Sequence, residues 1–325
     1  MRALILTSGG LISARILNTW ILSGNSVAAI WIGALERHHF LRQDRALGIA
    51  APSWSTTAAV RHFGIPVESN PRLSEWKDAH EAIRRLEVDV LITSLTYEIV
   101  PEAILRRFPG RAVNIHPALL PDYRGPNPRR GMILDGKADQ YGGVTLHCLT
   151  PKIDRGDIIG MRAVPFDPDL GFVNWNVRQA HAAGELVAKE LQDYFKGRLT
   201  PRPQFPGSGS YRKVEANELT LSASQAADRI EWLCRRFGSS GWLCFQPEKD
   251  GNRAERCIVH SFIRKVGPRS SVPYRIGRFA IEFDAADARV RVARLGSWTR
   301  LCRLAQYLLT IASVSRTRRR IASSF

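Results

Sequence analysis

Hydrophobic runs separated by turn residues recur through the first 200 positions and predict alternating strands and helices. The run at 89–93 is nearly continuous in apolar residues, as a strand buried on both faces of a parallel sheet must be. The opening stretch predicts a strand at 2–7, a helix at 11–22 and a second strand at 27–31. Further strands are predicted at 65–67, 111–115, 144–149 and 157–164, and further helices at 58–63, 76–86, 102–108, 129–134 and 174–196. This alternation is typical of an α/β fold with a mostly parallel, Rossmann-like sheet.

Residues 33–53 break the pattern because they are rich in charge and poor in period. They predict a mobile loop or an irregular helix. The adjacent histidines His38 and His39 would not share a helix face, so we predict no metal site there.

The last third of the chain has a different pattern of hydrophobic and polar residues. Residues 199–210 carry prolines and glycines without a period, which predicts a linker between a domain at 1–198 and one at 211–325. The spacing of Ser222 and Gln225 predicts a capped helix from Ser222,. Short alternating strands are predicted at 241–246, 256–264, 277–283 and 288–294, and then a helix at 301–311 and a basic tail at 316–320.

Composition narrows the class of protein. With 325 residues, 44% of them hydrophobic, and no apolar run of membrane-spanning length, the chain predicts two globular domains and no stable membrane insertion. Its start has no signal-peptide pattern. Five scattered cysteines predict reduced thiols in a cytoplasmic protein and no structural zinc.

Positive charge is concentrated at the C-terminal end. Residues 201–325 hold 23 Lys and Arg against 10 Asp and Glu, so they contribute +13 of the formal net charge of +17. This excess fits a solvated, arginine-biased surface, and it also fits attraction to a polyanion or a phosphate-bearing substrate.

Three polar residues at predicted strand ends carry the candidate chemistry. Asn114 and His116 are two apart, so on an extended strand their side chains point to the same face. An amide there can stabilise a developing oxyanion, and an imidazole can move a proton near neutral pH. Asp154 follows the next predicted strand and could orient His116 or a water. Crevices at strand ends are where open α/β sheets bind ligands.

These residues lie within a longer series of motifs that resembles the formyltransferases that use N10-formyltetrahydrofolate. That family includes glycinamide ribonucleotide formyltransferase, methionyl-tRNA formyltransferase and enzymes that formylate nucleotide-linked amino sugars. The resemblance implies that Asn114, His116 and Asp154 are catalytic, without a metal, although Ala118 stands where the family usually has serine. The motifs are Asn114-x-His116, Leu119-Leu120-Pro121-x-Tyr123-Arg124-Gly125, Gly143-Val144-Thr145-x-His147 and Asp154-x-Gly156.

The resemblance also implies ligand positions and a second domain. The implied C-terminal domain is a helix followed by a small β-barrel, a mainly-β, OB-like fold. His147 is either a second polar group at the pocket or a partly buried strand histidine, and the Ser8-Gly9-Gly10 turn is either a tight connection or a set of amides facing a phosphate. The implied folate positions are Tyr97, Ile99, Val100, Leu105, Leu149 and Thr150. The implied acceptor positions are Ser8, Gly9, Gly10, Arg124, Gly125 and His147.

Formyl transfer to an amine passes through a tetrahedral intermediate with a negative oxygen. We expect Asn114 and His116 to stabilise that oxygen, and Asp154, its pKa raised by a partly closed pocket, to shuttle protons. The preferred acceptor is a small anionic amine such as a nucleotide-linked amino sugar. Methionyl-tRNA and an amino acid such as hydroxyornithine are alternatives, and a non-catalytic RNA-binding relative is an alternative of another class.

Overall fold

The computed structural model describes residues 1–33, 37–205, 207–249, 252–253 and 256–322. Backbone contacts divide the chain into two compact units. One comprises Met1–Pro165 and Asn176–Lys213, and the other comprises Phe166–Trp175 and Val214–Phe325. The stretch at 199–210, predicted as a linker, is therefore grouped with the first unit.

The first unit is built on a seven-stranded sheet in the order β3-β2-β1-β4-β5-β6-β7. The first five strands in this order are parallel. The sixth strand, β6, pairs antiparallel with both of its neighbours, so β7 runs in the same direction as the first five. The strands are β1 (Arg2–Thr7), β2 (Ser26–Gly33), β3 (Val67–Asn70), β4 (Val90–Ser94), β5 (Ala112–His116), β6 (Gly143–Cys148) and β7 (Ile158–Ala163). The predicted mostly parallel α/β sheet is confirmed.

Helices lie between these strands and after the last of them. They are α1 (Leu11–Leu22), α2 (Arg37–Ala50), α3 (Thr56–Phe63), α4 (Ala79–Arg85), α5 (Glu102–Leu105), α6 (Pro128–Leu134), α7 (Gly171–Ala188) and α8 (Glu190–Phe195). One layer of the core packs α4 and α5 against the sheet through Leu6, Leu91, Ile83 and Ile104. Because side chains alternate along a strand, the neighbouring residues Ile5 and Ile92 face the other side of the sheet, where they are also buried,.

Two helix predictions are wrong in detail. The irregular segment predicted at 33–53 contains α2, a regular helix of 14 residues. Within it, the buried Asp44 carboxylate accepts the backbone N–H of Thr56 at 2.9 Å, so α2 is tied to the start of α3. The single helix predicted at 174–196 is two helices, because Lys189 leaves helical geometry with φ −116° and ψ −76°.

The second unit is mainly β, as predicted. A six-stranded sheet has the order β13-β14-β15-β12-β9-β8. Its strands are β8 (Thr220–Leu221), β9 (Cys244–Phe245), β12 (Cys257–Gly267), β13 (Tyr274–Ile276), β14 (Ala280–Asp284) and β15 (Arg289–Arg294), and a separate pair is formed by β10 (Glu248–Lys249) and β11 (Asn252–Arg253). Helix α9 (Ala227–Phe237) and helix α10 (Ser297–Ala322) complete the unit.

The helix predicted from Ser222 begins five residues later. Only half of the expected capping pair forms, with the backbone N–H of Ser222 donating to Gln225 Oε1 at 3.2 Å. Ala226 is the N-cap residue of α9, and it offers no side-chain cap. The helix predicted at 301–311 is longer than expected, since α10 continues through the basic tail at 316–320. Among the described residues, every helix is too short or too polar to form a membrane-spanning segment.

Candidate functional site

Sheet register brings the polar residues of three strands together. Asn114 on β5 lies opposite Thr93 on the parallel strand β4 and opposite His147 on the antiparallel strand β6. His116 is the last residue of β5. The predicted pair on one face of β5 is therefore joined by side chains from both neighbouring strands.

Asp154 reaches this cluster from the loop between β6 and β7. Its backbone is in the left-handed region, with φ 49°, which aspartate tolerates better than most residues. Gly156 is required two residues later, because a Cβ there would lie 1.8 Å from the carbonyl oxygen of Cys148. The Asp-x-Gly motif is thus a backbone requirement as well as a source of the carboxylate.

The Asp154 carboxylate contacts all the other polar groups of the cluster. Its Oδ2 accepts the backbone N–H of Gly125 at 2.8 Å and lies 3.4 Å from Nδ1 of His116. Its Oδ1 accepts from the Asn114 amide at 3.3 Å and lies 3.5 Å from Nε2 of His147. Side-chain exposure is 12% for Asp154, 5% for His116 and 1% for His147, so the cluster is largely shielded from water.

Hydrogen bonds fix the orientation of the Asn114 amide. The Thr93 hydroxyl donates to Asn114 Oδ1 at 2.8 Å. The amide nitrogen donates to His147 Nε2 at 3.0 Å. His147 can accept there because its Nδ1–H donates to the carbonyl oxygen of Cys148 at 2.8 Å, which selects the tautomer with a free Nε2 lone pair.

His116 has the opposite tautomer. Its Nε2–H donates to the carbonyl oxygen of Tyr123 at 2.9 Å, which leaves Nδ1 facing the Asp154 carboxylate. Burial lowers the pKa of His116 below its ordinary value, with a further lowering from His147, and the attraction of Asp154 does not offset them. His116 is therefore neutral at pH 7.

The pKa of Asp154 is also lowered, which corrects the expectation that its pocket would raise it. Burial is the largest influence and acts upward, but His116, His147 and the N–H of Gly125 together bring the pKa well below its ordinary value. Electrostatic attraction to His116 is the first of the lowering influences, and together with the contacts from His147 and Gly125 it outweighs the loss of solvation,. Asp154 is an ionised carboxylate.

An ionised Asp154 beside a neutral His116 can take up a proton. Nδ1 of His116 and Oδ2 of Asp154 are 3.4 Å apart, and both present lone pairs to the space between them. A proton arriving there is held by two acceptors at once. The cluster therefore combines an amide donor with a buried general base.

The six implied folate positions fall into two groups. Tyr97 and Ile99 are 59% and 58% exposed on the loop that follows β4, beside the end of β5. Tyr97 Oη also donates to Asn127 Oδ1 at 2.7 Å. The other positions belong mostly to the interior: Val100 is a buried core residue, Leu105 and Leu149 pack against that core, and the Thr150 hydroxyl donates to the carbonyl oxygen of Lys152.

The implied acceptor positions are also divided. His147 is buried on β6, and its Nε2 lies within the cluster, 3.0 Å from the Asn114 amide nitrogen. In the turn before α1, the Ser8 hydroxyl donates to the carbonyl oxygen of Leu95, and the Gly9 N–H donates to Thr7 Oγ1 at 3.0 Å. Gly10, the N-cap residue of α1, is exposed.

Arg124 and Gly125 make contacts that hold the loop after β5. Arg124 is 5% exposed, and its guanidinium binds Gln204 and the carbonyl oxygen of Ser208. Gly125 has φ 90°, and a Cβ there would lie 2.2 Å from the ring of Tyr211. Its N–H is the shortest contact to the Asp154 carboxylate, which gives this glycine a direct place in the site.

Sequence reasoning missed several residues that hold the cluster. Thr93 was treated only as part of a buried strand. The hydroxyl of Thr145 donates to the carbonyl oxygen of Ala118 at 2.7 Å and accepts the N–H of Leu120 at 3.1 Å, which anchors the loop after β5. Gln204 lay in the predicted linker. Register between neighbouring strands is the signal that could have identified Thr93 and Thr145, and Gln204 had none.

No metal centre is formed by the described residues. Across residues 1–33, 37–205, 207–249, 252–253 and 256–322, no group of three or more His, Cys, Asp or Glu side chains could hold a metal ion. The five cysteines are all free thiols.

Residues 15–191 match the family described as Formyl transferase. A methionyl-tRNA formyltransferase from Roseiflexus sp. (strain RS-1) is 32% identical over 197 residues, which are 60% of this chain and 60% of that relative. A methionyl-tRNA formyltransferase from Listeria monocytogenes is 29% identical over 174 residues and is covered over 52% of its length. The chain thus spans about half to three fifths of these curated relatives.

Solved structures share the fold. A sugar N-formyltransferase from Shewanella sp. FDAARGOS_354 superposes with a TM-score of 0.58 at 18% identity, covering 82% of this chain and 99% of that one. An N-formyltransferase from Helicobacter canadensis, solved with folinic acid and dTDP-3-aminofucose, superposes with a TM-score of 0.54 at 16% identity, covering 90% and 98%. At these identities the likeness concerns the fold alone.

Proposed function

The chain belongs to the formyl transferase family, and we propose that it transfers a formyl group from N10-formyltetrahydrofolate to a primary amine. The observation that carries this proposal is the cluster of Asn114, His116 and Asp154, in which an oriented amide adjoins a buried histidine–carboxylate pair that can accept a proton. Acyl transfer to an amine needs both functions, since the carbonyl oxygen becomes negative and the amine must lose a proton.

Each residue takes a distinct part in this proposal. The Asn114 N–H that points to Asp154 over the longer distance of 3.3 Å is the one that donates to the developing oxyanion, while the amide keeps its orientation. His116 and Asp154 together accept the proton that the attacking amine loses, and they return it to the departing nitrogen. His147 keeps the Asn114 amide in place through its bond at 3.0 Å. His116 thus acts as a base within a pair.

The surroundings of the cluster suit the formyl donor. Tyr97 and Ile99 present exposed aromatic and aliphatic surface beside the end of β5. A flat heterocycle prefers such surface, with a few backbone groups to fix its orientation. The folate supplies an activated formyl group, and the protein residues supply orientation and proton transfer.

For the acceptor, we propose a small phosphorylated amine such as a nucleotide-linked amino sugar. A cavity of about 370 Å³ adjoins the Asp154 loop, and its lining includes Lys152, Arg155 and the ring of Tyr211. Two cations beside an aromatic ring attract a ligand that combines negative charge with a planar group.

Methionyl-tRNA is the second candidate acceptor. The relatives described above are methionyl-tRNA formyltransferases, and residues 201–325 carry a net charge of +13. A basic surface of that size favours a polyanion.

Formyl transfer can be followed by the absorbance of the released tetrahydrofolate. The acceptors tested in parallel are methionyl-tRNA, a panel of nucleotide-linked amino sugars, and amino acids that include hydroxyornithine. Turnover with an amino sugar supports the preferred acceptor, and turnover with methionyl-tRNA alone replaces it with the second candidate. RNA binding without turnover or folate binding points to a non-catalytic relative and refutes the enzyme assignment.

A substitution at Asn114 tests the catalytic assignment. Asn114→Ala removes the oxyanion donor, and losing one such donor lowers the rate about 100- to 1,000-fold. A folded Asn114→Ala protein with wild-type turnover would contradict the role given to this amide.

A further inference from the structure

The segment between the last helix of the first unit and residue 213 crosses the loops that build the site. Arg202 and Ile158 exchange backbone hydrogen bonds of 2.8 and 2.7 Å. Further along, the backbone N–H of Arg124 donates to the carbonyl oxygen of Ser210 at 2.9 Å. We call residues 202–205 and 207–212 the crossing segment. It passes from the start of β7 to the loop after β5, with the Asp154 loop between these two attachments.

Gln204 is the residue of the crossing segment that reaches the Asp154 loop. Its Nε2 donates to the carbonyl oxygens of Asp154 at 2.9 Å and Gly156 at 2.8 Å. Its Oε1 accepts from the Arg124 guanidinium at 2.7 Å from Nη2 and 3.3 Å from Nε. Both N–H groups and both lone pairs of the amide are therefore used.

The two carbonyl groups that Gln204 binds flank the turn that aims the carboxylate. Asp154 has φ 49°, a conformation that persists only where the surroundings hold it. A carbonyl oxygen can be held only by a donor, and one amide nitrogen bridges both of these. We propose that Gln204 is a positioning residue for Asp154. The inference deepens the formyl transfer proposed above and rests on it.

The crossing segment is held by close contacts, so the backbone that carries Gln204 is fixed in place. Gly209 has φ 85°, and a Cβ there would lie 2.0 Å from the carbonyl oxygen of Pro121. The hydroxyl of Ser210 accepts the N–H of Tyr123 at 3.0 Å. The carbonyl oxygen of the same residue, Tyr123, accepts from His116. The crossing segment therefore contacts residues that hold His116 and residues that hold Asp154.

Arg124 completes the arrangement. It is 5% exposed and uses its guanidinium on Gln204 Oε1 and on the carbonyl oxygen of Ser208 at 2.7 Å. These contacts orient the Gln204 amide so that its nitrogen faces the loop. In this arrangement, the Arg124 guanidinium acts on the Asp154 loop through Gln204.

Two substitutions separate the contacts of Gln204. Gln204→Met has a similar length and no polar atoms, so it loses every bond. Gln204→Glu still accepts from Arg124 but, when ionised, cannot donate to a carbonyl oxygen. Gln140→Met, at an exposed glutamine, is the matched control. Each variant is measured as the full chain for kcat, for KM of donor and acceptor, and for backbone amide exchange of residues 149–158.

We expect both Gln204 variants to lose kcat by about tenfold or more, with both KM values within about threefold of wild type. We expect amide exchange of residues 149–158 to accelerate at least about fivefold, and Gln140→Met to change none of these. A Gln204→Glu protein with wild-type kcat and exchange would overturn the proposal, as would an unaltered Gln204→Met. Wild-type inactivity towards every acceptor would refute the proposed function instead, and the exchange rates would still decide whether Gln204 holds the loop.

Discussion

Replacing Asp154 with asparagine tests the proton-acceptor pair most directly. Asparagine has nearly the same volume and also tolerates the left-handed backbone conformation, in which Asp154 has φ 49°. Its amide oxygen can keep the bond to the N–H of Gly125, now 2.8 Å long. What disappears is the negative charge that stabilises a proton on His116.

The magnitude follows from that lost charge. A positioned general base contributes about 100- to 10,000-fold to a rate, or about 2.7–5.4 kcal/mol of activation free energy. The effect on folding is smaller, because a hydrogen bond to a charged acceptor contributes about 1.5–3 kcal/mol and one to a neutral acceptor about 0.5–1.5. Asp154→Asn should therefore lower kcat at least about 100-fold, while the free energy of unfolding falls by at most about 2.5 kcal/mol.

Formyl transfer at pH 7.5 gives kcat, and urea unfolding gives the stability. Asp157→Asn is the control, because Asp157 is exposed in the same loop; we expect its kcat within about twofold of wild type. A folded Asp154→Asn protein with kcat within about fivefold of wild type would show that the carboxylate is not the proton acceptor.

Three further outcomes follow from single contacts. Thr93→Val removes the donor to Asn114, so kcat should fall about 2- to 10-fold, and an unchanged kcat would contradict this. Wild type should lose stability as the pH falls from 6.5 to 5.5, by up to about 1 kcal/mol through His116, because the lowered pKa of the folded histidine lets the unfolded chain bind more protons. In His116→Asn, urea unfolding should show a correspondingly smaller loss of unfolding free energy over the same pH range. Gly125→Ala should destabilise by about 1–3 kcal/mol, and Tyr211→Ala should recover part of this in a double-mutant cycle.

Local patterns in the sequence determined much of the fold. Continuous apolar runs are sufficient for buried parallel strands, and β1, β4 and β5 appear within a residue or two of the predicted positions. Helix boundaries predicted from a single capping contact were less accurate. The Ser222–Gln225 spacing produced half of a capping pair and no helix start. The spacing of a capping pair does not by itself determine which secondary-structure element follows.

The protonation state of the site depended on contacts distant in sequence. Pocket closure alone would raise the pKa of Asp154, and that expectation failed because the carboxylate meets two histidines and the N–H of Gly125. Those groups come from β5, β6 and the loop after β5. Their distances are set by strand pairing and loop packing, which no local pattern encodes.

Local sequence patterns were therefore sufficient for the α/β class, for the mainly-β region that follows it, and for choosing three polar residues that the fold brings together. Hydrophobic periodicity and motif order carry that information locally. The packed fold was needed to show that Thr93 and His147 orient Asn114, that Asp154 is ionised, and that Gln204 lies against the Asp154 loop. Each of these depends on a hydrogen bond between residues 21 to 50 positions apart, and such bonds exist only once the sheet and its loops have packed.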